Sequence, residues 1–234
     1  MSKKTLAIIF IVLLILGGGF YAYKKGYFIK TKTSQPGAEQ LSPEKLLNFE
    51  IKDTTLSPEN VQRFQGNFQT LKQSLQNNPD DFNSWVTLGI LKKTVNDYEG
   101  ARDIFIYAGQ IRPKSSPPFA NLGDLYANFL NEPGKAEEMY KKAIANDPGE
   151  INYYFGLADV YRYRIPGKEA LYEQTLLDAL NKFTDDVNLI SSLASYYRQT
   201  NQTQKAIQFY EKLVKLSPNN ETAQRDLKEL KNQK

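Results

Sequence analysis

Few residues in this chain are suited to chemistry. Its 234 residues include no cysteine and no histidine. That removes thiolate nucleophiles, the imidazole base that activates serine, and the usual zinc ligands. Two acid pairs remain, Asp80-Asp81 and Asp185-Asp186. Paired carboxylates can divide acid and base roles. Each pair, however, falls at an expected boundary between helices, where Asp accepts hydrogen bonds from first-turn N–H groups, so both read as helix caps. Gly17-Gly18-Gly19 lies inside an apolar run and is not a phosphate loop. The Pro-Gly-Lys runs at 133–135 and 166–168 lack P-loop spacing and read as turns between helices, and Lys141 and Lys142 read as a solvated face. Asn201-Gln202-Thr203 and Asn220-Glu221-Thr222 fit the glycosylation triplet, a short pattern that recurs by chance. No catalytic residue, metal ligand or cofactor is assigned, and the chain is not expected to be an enzyme.

What does recur is packing chemistry at a fixed interval. Trp85, Leu88 and Gly89 precede Ala101, Phe105, Ala108 and Pro113, and Phe119, Leu122, Gly123 and Tyr126 precede Ala136, Tyr140, Ala143 and Pro148. Gly89 to Gly123 is 34 residues, Ala101 to Ala136 is 35, Ala136 to Ala170 is 34, and Ala170 to Ala206 is 36. Pro79, Pro113, Pro148 and Pro218 keep the same beat. Each unit reads as two antiparallel helices. Gly89, Gly123, Gly156 and Ala194 on the first helix, and Ala101, Ala136, Ala170 and Ala206 on the second, allow close crossing. A bulky side chain there would cost about 1–3 kcal/mol. Proline closes each unit because it cannot continue a helix interior.

This residue order and period resemble the tetratricopeptide repeat (TPR) family. The resemblance implies an all-α, TPR-like α-solenoid of stacked antiparallel helix pairs, which bury their apolar faces only by stacking. In TPR domains, positions two, five, nine and twelve of each first helix line a concave groove that binds a protein or peptide. Carried onto this chain, repeat one gives Asn83, Val86, Ile90 and Lys93. Repeat two gives Pro117, Ala120, Asp124 and Ala127. Repeat three gives Glu150, Tyr153, Leu157 and Val160, and repeat four gives Asn188, Ser191, Ser195 and Arg198. That groove is expected to be apolar in repeats one and three and polar in repeat four. The basic and asparagine residues of the chaperone-binding carboxylate clamp are not reproduced, so a chaperone C-terminal carboxylate is not the expected ligand.

The remaining segments frame this domain. Residues 6–23 contain no charged side chain and are flanked by Lys3, Lys4, Lys24, Lys25, Lys30 and Lys32. As a helix, 18 residues span about 27 Å, enough for a bilayer core. A single transmembrane helix is therefore expected within an anchor at 1–32, with Tyr21, Tyr23, Tyr27 and Phe28 as an interfacial belt. A cleaved secretory signal is the alternative. Residues 33–57 read as a flexible tether, with Ser-Pro helix starts at Ser42-Pro43 and Ser57-Pro58 and possible docking near Leu46, Leu47 and Phe49. The solenoid should occupy 58–234: a cap helix at 59–77, repeats at about 82–115, 116–150, 149–186 and 187–220, and a cap helix at 221–232.

The net charge of +4 comes from the anchor's flanks, since residues 33–234 carry 24 basic against 26 acidic side chains. No nucleic-acid footprint is expected. Function should be that of a membrane-tethered interaction scaffold. A self-associating structural spacer of the cell envelope is the alternative. A basic segment followed by an apolar one is the order of an export signal, whereas counting flanking lysines would keep the repeats inside. The expectation favours repeats outside the cytoplasm. Protease added to intact cells should then digest the repeat domain while a cytoplasmic control survives; full protection until lysis would reverse the assignment.

Overall fold

The computed structural model describes residues 42–232. The anchor with its aromatic belt and residues 33–41 of the tether lie outside the described residues. Among the described residues the helices are α1 Pro43–Leu46, α2 Pro58–Asn77, α3 Phe82–Thr94, α4 Tyr98–Ile111, α5 Pro117–Asn128, α6 Pro133–Asn146, α7 Ile151–Tyr163, α8 Ala170–Leu180, α9 Val187–Gln199, α10 Thr203–Leu216 and α11 Glu221–Asn232. None of these is long and apolar enough to cross a membrane. Helices α3/α4, α5/α6, α7/α8 and α9/α10 form four hairpins stacked in series, with α2 before them and α11 after.

Capping sets the starts. Ser42 and Ser57 accept from Lys45 and Asn60 N–H, each with Pro at the first helical position. The acid pairs act as caps: Asp81 accepts from Asn83 and Ser84 N–H, and Asp186 from Leu189 N–H. Each hairpin turns on one left-handed residue. These are Asn96, Asn131, Gly167 and Asn201, with φ of 64°, 52°, 82° and 57°. Asn and Gly reach this conformation at least cost.

Those turns correct the register of repeat three. The turn residues are spaced by 35, 36 and 34. The buried residue five positions after each turn is Ala101, Ala136, Tyr172 and Ala206. Ala170 is exposed and is not the small crossing residue. Likewise Ala158, fully buried, stands in α7 where Gly89, Gly123 and Ala194 stand in the other first helices, and Gly156 does not. The cause is the resemblance between Pro133 and Pro166. Pro133 opens α6, but Pro166 precedes the left-handed Gly167 inside the turn, before the helix begins. Tyr172 is accommodated at the usual Ala site beneath the Arg162 guanidinium, 4.6 Å from its ring centre, and 4.9 Å from the ring of Tyr196.

Helix pairs close through ring-on-backbone contacts. A Cβ on Gly123 would lie 2.8 Å from the Tyr140 ring, and one on Gly156 would meet the hydroxyl end of the same ring at 2.7 Å. Helix α7 serves two cores. Leu157, Val160 and Tyr161 pack back against Phe119 and Tyr140, while Tyr154 and Ala158 pack forward against Leu189 and Leu193.

Residues 42–57 are packed, with the docking expected near Leu46 and Phe49 but without the flexible tether around it. Leu46 is buried, and Phe49 stacks on Phe68 at 4.7 Å and 9°. Backbone N–H groups of Lys52 and Asp53 donate to the Val95 carbonyl at 2.9 and 3.1 Å. The cause is a buried cation. Lys92 is 1% exposed, and its Nζ donates to Asn48 Oδ1 at 3.0 Å and Asp97 Oδ2 at 2.9 Å. Lys52 adds a second cation 2.8 Å from Asp97 Oδ1. Burial opposes the charge on Asp97, but Lys52 and Lys92 outweigh it and hold the carboxyl below its ordinary range. A buried ammonium needs such partners, and this strap supplies one of them.

Glu137 of α6 ties repeat two to repeat three. It accepts from Lys168 Nζ at 2.6 Å, Tyr161 hydroxyl at 3.1 Å and Lys141 Nζ at 2.7 Å. Burial raises its pKa, but these donors prevail and lower it from 4.5 to about 2. A depressed carboxyl contributes stability that is complete above its unfolded value and is lost as pH falls toward the folded one. Glu137→Gln should therefore narrow the stability gap between pH 5 and pH 2, measured by urea unfolding at each pH. An unchanged gap would remove Glu137 from the acid response.

Candidate functional site

The first helices of the hairpins share one face, and the ion pairs along it follow the repeat. Lys93 on α3 reaches Asp124 on α5, Nζ to Oδ2 at 2.8 Å. Arg198 on α9 reaches Glu229 on α11 at 2.8 Å and Asp226 at 2.7 Å. Both Lys93–Asp124 and Arg198–Glu229 are 31 residues apart. They join position twelve of one first helix to position nine of the next. At the junction of repeats three and four, Arg162 donates to the Gln199 side-chain carbonyl and lies against Tyr172 and Tyr196.

The junction of repeats two and three departs from this order. Position twelve of α5 is Ala127, and position nine of α7 is Asp159. A recess of about 330 Å³ opens there, lined by Asp124, Ala127, Tyr140, Asp159, Tyr163 and Arg164. Asp124 is held by Lys93 and accepts from the Asn128 amide at 2.8 Å. Arg164 donates to the Asn128 carbonyl oxygen at 2.9 Å, which fixes it at the rim. Tyr140 forms the floor. Burial pushes its hydroxyl pKa up, and the Asp124 and Asp159 carboxylates add to that. Desolvation pushes the Asp159 carboxyl up, with Arg162 opposing, although much of the residue is exposed. Among the described residues no cluster of three or more Asp or Glu side chains is placed to share a metal ion.

The residues expected to line the groove in repeats one, two and four differ in exposure. Ile90 is 43% exposed. Asn83, Pro117, Asn188 and Arg198 are exposed, and Val86, Lys93, Ala120, Asp124, Ser191 and Ser195 are half-buried. Ala127 is buried in the wall of the recess. Repeat three differs. Leu157 is buried against the α6 side, Val160 is buried beneath the recess, Tyr153 donates to Ser116 Oγ at 3.1 Å, and Glu150 caps α7 by accepting from Asn152 N–H. The two-residue correction puts Asn152, Phe155, Asp159 and Arg162 at positions two, five, nine and twelve. On this register the face of repeat three carries Asp159 and Arg162 where Leu157 and Val160 were expected. The signal that could have found this is the large-to-small pair Tyr154 and Ala158, which repeats Trp85 with Gly89 and Phe119 with Gly123.

Several known proteins share this architecture. YrrB, a TPR protein with an unusual peptide-binding site, superposes with a TM-score of 0.54 at 14% identity, over 70% of this chain and 82% of that one. MamA superposes with a TM-score of 0.56 at 16% identity, over 70% and 96%. PilW, a widely conserved type IV pilus biogenesis factor, gives 0.54 at 17% identity, over 75% and 86%. In sequence, anaphase-promoting complex subunit 7 of Arabidopsis thaliana is 24% identical over 165 residues, which is 70% of this chain but 28% of that protein. Residues 118–150 and 188–220 match the family model of the tetratricopeptide repeat. These two segments are similar to tetratricopeptide repeats, and the described residues have the fold of a TPR-like α-solenoid.

Proposed function

We propose that this chain is a membrane-tethered scaffold that binds an extended segment of another protein along the face of its first helices. The observation that carries the reading is side-chain surface on that face which packing does not claim. Ile90 is 43% exposed and Tyr163 65% exposed, while the opposite faces of the same helices are buried. Aromatic and aliphatic side chains of this kind act as anchors in peptide grooves. The likeness to YrrB, a TPR protein with a peptide-binding site, supports the same use of the fold.

Tethering rests on the uncharged run at 6–23 and its lysine flanks. The basic-then-apolar order supports repeats outside the cytoplasm. Near-neutral charge over residues 33–234 supports a protein partner over nucleic acid.

Full-length chain in detergent micelles, used to select from a random-peptide display library, should enrich peptides that bind this face. The double variant Ile90→Glu with Ser191→Glu should weaken their binding by about a hundredfold while helicity is unchanged. Failure to enrich any peptide, or binders indifferent to the double variant, would overturn the groove reading.

A further inference from the structure

The repeat that ends the solenoid shows what the recess lacks. There, Tyr210 hydroxyl donates to Asp226 Oδ2 at 3.0 Å, and the Arg198 guanidinium sits between Asp226 and Glu229 at 2.7 and 2.8 Å. Each of these residues has a counterpart two repeat intervals earlier, 70 or 71 residues back. Tyr140 stands for Tyr210, and the residue 16 positions after it is Gly156 where Tyr210 has Asp226. Three positions further on, Asp159 stands for Glu229. Ala127 stands for Arg198. The junction of repeats two and three thus keeps the hydroxyl and one carboxylate of a cation site, and replaces the chain's own cation with a methyl group.

Two observations show that these groups are unclaimed. Tyr140 is 8% exposed, yet its hydroxyl has no hydrogen-bond partner among the described residues and opens into the recess. The equivalent Tyr210 is bonded, as are Tyr154, Tyr161 and Tyr197. Asp159 likewise makes no ion pair among the described residues. The nearby cations have partners of their own: Lys93 pairs with Asp124, Arg164 with Asn128, and Arg162, which favours the Asp159 charge from a distance without pairing with it, bonds Gln199 and lies over three tyrosine rings. Tyr163 stands at the mouth, 65% exposed, with the Arg162 guanidinium 5.2 Å from its ring centre.

We propose that the recess beside Ala127 receives the arginine or lysine side chain of the bound peptide, with the Asp159 carboxylate and the Tyr140 hydroxyl as its acceptors. The inference rests on the groove reading above and gives that groove its specificity. A carboxylate that accepts a charge-assisted hydrogen bond in a partly desolvated pocket discriminates strongly between a cation and its neutral isostere.

The peptides selected on the full-length chain supply the test. They should share an arginine or lysine. Replacing it with citrulline or glutamine should weaken binding about tenfold. Asp159→Asn should produce the same loss, with no further loss when both changes are combined. Glu138→Gln, an exposed acid outside the recess, should change nothing, which separates the site from general negative charge. Ala127→Arg should restore the internal cation and block the peptide. Groove-dependent peptides with no required basic residue, or equal binding by Asp159→Asn, would overturn the inference and leave the groove reading intact.

An independent probe needs no selected peptide. N-acetyl-arginine amide titrated into the full-length chain should shift the Gly156 amide resonance, and N-acetyl-citrulline amide should not. Equal shifts from the two compounds, or none from either, would also overturn the inference.

Discussion

The stacking of the first three hairpins depends on one steric constraint: Phe105 and Tyr140 on the second helices press their rings against the glycines Gly89 and Gly123 of the first, where a Cβ would collide with them. Tyr140 makes the point, wedged between Gly123 of its own hairpin and Gly156 of the next. Because one ring touches both hairpins, it fixes the separation within the pair and the stacking onto its neighbour. Interiors packed at this density do not absorb even a methyl group without strain. The same wedge brings the Tyr140 hydroxyl to the groove face, so the contact that builds the scaffold also furnishes the floor of its recess.

The ends of a stacked array need different solutions. At the C-terminal end, α11 offers Ala223 and Leu230 to the last hairpin and presents Asp226 and Glu229 to Arg198. At the other end, α2 and the strap at 42–57 cover the first hairpin. The strap's value lies in Lys92. An ammonium buried to this degree is costly unless bonded, and Asn48 and Asp97 are the two acceptors that hold it. This gives a physical reason for the ordered residues just before the repeats, where low periodicity suggested a linker.

Much of the fold was legible because the packing constraint leaves small residues at a readable interval. Gly89, Gly123, Ala101, Ala136, Ala194 and Ala206 all stand where spacing placed them, and the acid pairs cap helices as their positions implied. Repeat three was misread because two prolines of different role look alike: Pro133 starts a helix, while Pro166 belongs to a turn that Gly167 completes. Turn geometry is set by φ, which a residue list shows only indirectly. That slip of two residues moved the groove assignment from Phe155 and Asp159 to Tyr153 and Leu157. The strap's apolar docking near Leu46 and Phe49 was legible, but its polar anchor was not, since Asn48 and Lys92 are 44 residues apart and only folding joins them.

The central claim is that α7 turns Asp159, and not Leu157, to the groove face. The chain has no cysteine, so single thiols can report the register without interference. In the native full-length chain, Asp159→Cys should react with a thiol reagent at a rate close to that of the unfolded protein. Leu157→Cys should be slower by at least about a hundredfold and should react only as the fold opens. A Cys at 157 that labels as fast as one at 159 would contradict the register, and with it the recess and the groove built on it.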